Sequence, residues 1–146
     1  MSGDHRGTTN HRVDLLFDSG FKRYKNTQIF MKSDTAILSP SISQNVQGKY
    51  WFDIREAILK KIRENKNVDF SLVFIRIVPN IFIFIKTSEL KVLMTEFSKK
   101  ERDNHKVWSF EVDRDFRRIF NKKSMDDFLL VKTTSESEVV SLLVQL

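Results

Sequence analysis

The run from Phe70 to Lys86, FSLVFIRIVPNIFIFIK, is almost wholly apolar and is interrupted only by Ser71, Arg76 and Pro79-Asn80. Its β-branched and aromatic side chains suit a pleated sheet, and Pro-Asn favours a tight turn, so the run predicts a central β-hairpin. Period-two alternation groups Leu72, Phe74 and Arg76 on one face and Val73, Ile75 and Ile77 on the other. In the second arm Phe82, Phe84 and Lys86 oppose Ile81, Ile83 and Ile85 in the same way. Apolar residues on both faces demand cover on both faces, so the chain must build layers around this hairpin. At 146 residues, 40% of them hydrophobic, it has the material for one such core.

The flanking segments supply candidate layers. Residues 1–13 are polar and aperiodic and read as a flexible N-terminal arm, with residues 14–146 as a single domain. Gln28 to Lys32 and Thr35 to Leu38 can pair as strands across Ser33-Asp34, and Lys49 to Phe52 is a further strand. Ile54, Ile58 and Ile62 form a helical stripe, with Asp53 and Glu56 spaced as a capping box at its start. A second helix is expected from Ser88, burying Leu90, Leu93, Met94 and Phe97, followed by a charged loop from Ser98 to Lys106. Val107 to Asp113 alternates as a half-buried strand, and Phe128 to Lys132 is another. Ser135 and Glu138 make a second capping box before Val139, Leu142, Leu143 and Leu146. The expected class is α+β, a mostly antiparallel sheet with about three helices, one of them C-terminal.

Cysteine is absent, which removes disulfides, thiolate nucleophiles and thiolate metal sites and favours a reducing, cytoplasmic setting. No apolar stretch approaches the ~20 residues of a spanning helix, and the first residues have no apolar signal core. The three histidines, His5, His11 and His105, show no ligand spacing, and the four glycines form no phosphate-binding loop. No metal and no cofactor is expected. A metal-dependent nuclease would need converging carboxylates, for which Asp53, Glu56, Glu111 and Asp113 are the candidates; a strand's solvent face and helix caps account for the same residues.

Charge is more informative. Lys plus Arg number 25 against 19 Asp plus Glu, a net +6 concentrated in the first two thirds of the chain, which favours a polyanionic partner. Lys22, Arg23, Tyr24 and Lys25 form one basic-aromatic cluster, and Lys49, Tyr50 and Trp51 with Arg55 form a second. The polar loop between them offers Ser41, Gln44 and Asn45 for phosphate or base-edge contacts. Trp51, as a strand aromatic, is expected in the core. Lys60, Lys61, Arg63 and Lys66 line the helix, and Arg117, Arg118, Lys122 and Lys123 form a third basic patch.

The strings Gly48-Lys49-Tyr50-Trp51-Phe52-Asp53-Ile54-Arg55, Arg76-Ile77-Val78-Pro79-Asn80 and Val107-Trp108-Ser109-Phe110 resemble segments of bacterial restriction-system proteins, especially their DNA-recognition portions. Nuclease signatures of such systems, a Pro-Asp followed by Asp/Glu-Xaa-Lys among them, are absent, so the resemblance implies DNA binding rather than cleavage. The expected function is a non-catalytic nucleic-acid-binding module, with DNA as the partner. The alternatives are a small metal-dependent nuclease and a protein-interaction domain, the last with a C-terminal helix able to serve as a homodimer face.

Overall fold

The computed structural model describes residues 11–146, and within them the hairpin is the centre of a layered α+β molecule. Strands β6 (Phe70–Val78) and β7 (Ile81–Lys86) pair antiparallel across a turn in which Asn80 takes φ 65°. The first sheet runs in the order β1 (Lys22–Arg23), β2 (Ile29–Lys32), β3 (Thr35–Leu38), β6, β7, β12 (Thr133–Thr134). A second sheet runs β11 (Ser124–Leu130), β10 (Arg118–Asn121), β9 (His105–Val112), β5 (Tyr50–Arg55), β4 (Ser43–Gln44), with β8 (Lys100–Arg102) also on β9. All pairings are antiparallel except β3 with β6. Sequence periodicity suggested one sheet; there are two, because strand patterns do not say which sheet a strand joins.

Both faces of the hairpin are covered, each by a different layer. Val73, Ile75, Ile77, Ile83 and Ile85 share one core with Phe52, Ile54, Trp108, Phe110 and Ile119 of the second sheet. On the other face Leu72, Phe74 and Phe82 pack with Phe30 and Ile37 beneath two helices, α1 (residues 11–18) and α4 (Glu136–Gln145). Phe74 stacks on Phe84 at 4.7 Å and on Phe82 at 5.6 Å between ring centroids. His11 and Glu136 link the two helices. Helix α2 (Glu56–Glu64) buries Ile62 against the inter-sheet core.

The described residues hold four α-helices rather than three, and several ends differ from expectation. Residues 1–10 of the expected arm lie outside the described residues, while 11–13 are helical, with Arg12 and Val13 buried. The helix stops in a Schellman motif: Gly20 donates to the Phe17 carbonyl at 3.1 Å and Phe21 to the Leu16 carbonyl at 3.0 Å, with Gly20 at φ 96°. The helix expected from Ser88 is only one turn, α3 (Thr87–Leu90), tightening into a 3-10 turn at Lys91–Leu93. Phe97 is 92% exposed beyond it, because Thr95 and Ser98 close a turn of their own and the Trp108 indole takes the Thr95 carbonyl at 2.8 Å. The expected charged loop contains β8. No helix among the described residues is long and apolar enough to cross a membrane.

Candidate nucleic-acid interface

The inner face of the second sheet is core; on its outer face Val107 and Ser109 are buried, Trp51 and Asp53 half-buried and Arg55 exposed. Along β5 the pleat sends Phe52 and Ile54 inward, which leaves Trp51, Asp53 and Arg55 on the outer side. Trp51 is therefore half-buried on the surface rather than in the core, and its parity with Asp53 and Arg55 is the reason. The Arg102 guanidinium lies 5.0 Å and the Lys122 ammonium 4.8 Å from its ring centre. Such cation–aromatic contacts hold cations and a flat ring at one spot.

Neighbouring strands fix this arrangement. Register places Asp53 opposite Ser109 and Trp51 opposite Glu111. Ser109 donates its hydroxyl to Asp53, whose other oxygen lies 3.3 Å from Arg102 Nε. Asp53 thus tethers Arg102 beside the indole. Burial, followed by the adjacent Arg102 charge, lowers the Lys100 pKa; Asp53 opposes this and Lys122 adds to it. One strand pair further on, Phe120 and Phe128 pack at 5.6 Å, with the Arg118 guanidinium 5.3 Å from the Phe128 ring. The third basic patch is thereby interleaved with aromatics, as the first two are.

The other expected binding residues separate. Arg23, Ser41 and Arg55 join Trp51, Asp53 and Arg102 around one cleft of about 470 Å³. Lys49 and Tyr50 line a different hollow of about 340 Å³ with Glu111, Asp113 and Phe116. Lys22 is on the edge strand β1, and Lys25 folds over the Tyr24 ring at 5.3 Å. Gln44 and Asn45 are engaged by their own turn: Asn45 Oδ1 accepts from the Gln47 and Lys49 amides at 2.9 and 3.0 Å, and Gln44 donates to the Gly48 carbonyl at 3.1 Å. Amides so committed are poor readers of base edges.

The acidic candidates do not converge either. Asp53 serves Ser109 and Arg102 in the extended strand and caps nothing; α2 begins at Glu56 with no side-chain cap, because β5 stays paired with β9 through Arg55. Glu56 accepts from Lys99, and that hydrogen bond is the main reason its carboxyl lies below the ordinary value. Glu111 faces Lys49 at 3.7 Å. Asp113 lies past the end of β9 and takes the Arg117 and Arg118 amides at 2.8 and 3.1 Å. Among the described residues no three histidine or carboxylate side chains gather in a metal-holding group.

Residue patterns alone do not nominate Arg102 or Ser109, and they place Lys122 only in a separate basic patch, since its position beside Trp51 becomes visible only through the pairing of its strand or turn with the rest of the sheet. Comparison of the chain with known protein families, with characterised proteins and with solved structures finds no match.

Proposed function

We propose that this chain is a non-catalytic nucleic-acid-binding module that holds a single strand against the outer face of its second sheet. The observation that carries this reading is Trp51, a half-buried ring on the outer sheet face with Arg102 and Lys122 lying over it. A flat ring supplies stacking for an unpaired base, and cations beside it supply phosphate contacts, the two ingredients of sequence-tolerant strand binding. Phe120, Phe128 and Arg118 extend the same chemistry along the sheet. The bases of a duplex are already stacked, so the platform favours unpaired strands. The resemblance to DNA-recognition segments is compatible with this reading, because the string from Gly48 to Arg55 builds the strand that presents Trp51.

Fluorescence anisotropy with single-stranded DNA, single-stranded RNA and duplex, each across a salt series, tests the proposal. Single strands should bind more tightly than duplex, with affinity falling steeply as salt rises. Trp51→Ala should weaken strand binding about tenfold or more, since base–aromatic stacking contributes about 1–3 kcal/mol per base. Salt-independent or absent binding, or full affinity in a folded Trp51→Ala variant, would refute it.

A further inference from the structure

Beside the Trp51 platform lies the cleft of about 470 Å³, and its origin is visible in the strand pairing. Strand β4 covers β5 only at Tyr50 and Trp51, through Gln44 and Ser43, so among the described residues the edge of β5 from Phe52 to Arg55 has no strand partner on that side. Residues of the first sheet's turns close the gap, and the result is a walled notch rather than a continuing groove. Its volume is that of a small-ligand site, too small for a duplex.

Three guanidiniums reach this notch from three elements: Arg23 from β1, Arg55 from β5 and Arg102 from β8. Arg102 is balanced by Asp53. Arg23 donates to the neutral Thr27 carbonyl at 2.8 Å and rests on the Phe30 ring, and Arg55 has no ion pair among the described residues. Asp103 also lines the notch, so three arginines meet two carboxylates there, and Arg23 and Arg55 are the two that form no ion pair among the described residues. Ser41 and Ser43 add hydroxyls, and Ser41 is fixed from behind by the buried Arg12, which donates to it at 3.2 Å. Burial, and after it the neighbouring Arg23 and Arg76 charges, lowers the Arg12 pKa to about 10.

We infer that the notch is a one-nucleotide pocket that receives the phosphorylated end of a strand, its base against Trp51 and its terminal phosphate between Arg23 and Arg55. The inference rests on the strand-binding reading for its partner class and adds to it a terminus and a charge state. An internal phosphodiester carries one negative charge; a terminal phosphomonoester at neutral pH carries up to two, one for each of the two arginines that form no ion pair among the described residues. The notch sits at the margin of the sheet face, where a strand lying across that face arrives at its end.

The test compares one short strand with a 5′-phosphate, a 3′-phosphate or neither. It runs beside calorimetric titration of the full chain with a nucleoside monophosphate and with inorganic phosphate. One phosphorylated end should bind about tenfold more tightly than the unphosphorylated strand, an advantage lost in Arg23→Ala and, without truncating the stem, in Arg55→Gln. Circular dichroism establishes that both variants are folded. Equal affinity for all three ends, with strand binding still lost in Trp51→Ala, overturns the pocket and leaves the platform intact. Monophosphate binding that depends on Arg55 without any strand binding keeps the pocket and overturns the platform; no binding of either kind overturns both. Inorganic phosphate binding as tightly as the nucleotide would show an anion site with no base recognition and would defeat the nucleotide assignment.

Discussion

The two tryptophans divide the labour of the second sheet. Trp108 is buried at 6% exposure, with its indole N–H on the Thr95 carbonyl and its ring in the inter-sheet core; Trp51 is on the opposite face. Trp108→Ala should cost about 3–5 kcal/mol in urea unfolding through the cavity it leaves, whereas Trp51→Ala should cost no more than about 1 kcal/mol and act on ligand binding instead. Comparable destabilisation by both would show Trp51 to be a core residue after all. Trp51's outward direction was legible in Tyr50-Trp51-Phe52-Asp53-Ile54-Arg55, since it shares parity with Asp53 and Arg55, but an aromatic's size argues for burial more loudly than its parity argues against it. Gly20 is a clearer single-residue signal. At φ 96° a β-carbon there meets only the flexible Lys32 side chain, at 3.5 Å, so Gly20→Ala should cost about 1 kcal/mol from backbone strain alone. A thermal melt indistinguishable from wild type would contradict the assigned cap.

Two capping boxes of the same spacing have opposite outcomes, and the difference is tertiary. Ser135 accepts from the Glu138 amide and Glu138 reaches back to Ser135, closing both halves of the motif at the start of α4. Asp53 has the same relation to Glu56 in sequence, yet strand pairing with β9 keeps it extended, and Ser109 and Arg102 occupy its carboxylate. Ser135→Ala should therefore lower stability by about 1 kcal/mol, read as a loss of about 2–4 °C in the melting midpoint. Asp53→Ala should leave the far-ultraviolet helix signal unchanged. The long, alternating strands and the C-terminal helix were legible because their own residues specify them. Strands β8 and β10 were not, because short polar segments such as Lys100–Arg102 become strands only by pairing with β9. The same limit hid half of the candidate site: Arg102 reads as loop charge until β8 turns it toward Trp51.

At the scale of the whole molecule, electrostatics separate stability from binding. The Lys99 hydrogen bond lowers the Glu56 pKa from an ordinary 4.5, and the same bond is the main cause that raises Lys99 above 10.5. The Glu56 contribution is thus present above about pH 4.5 and lost as acid protonates it at its lower folded value; the Lys99 contribution holds below about pH 10.5 and fades above it. Melts of wild type and Glu56→Gln should differ on the neutral plateau and converge as the pH falls below about 4. A difference that widens in acid would refute this pairing.

The one parallel contact, β3 with β6, has a consequence for how the chain can be divided. The turn after α2 separates β1–β5 from β6–β12 in sequence, yet each portion contributes to both sheets, and the two meet along β3–β6 in the first sheet and β5–β9 in the second. A cut in that turn, at Lys66, would leave each fragment with two raw sheet edges and half of every core, a state that invites aggregation rather than independent folding. The molecule closes like a garment with two parallel zips, and neither panel keeps its shape until both are fastened.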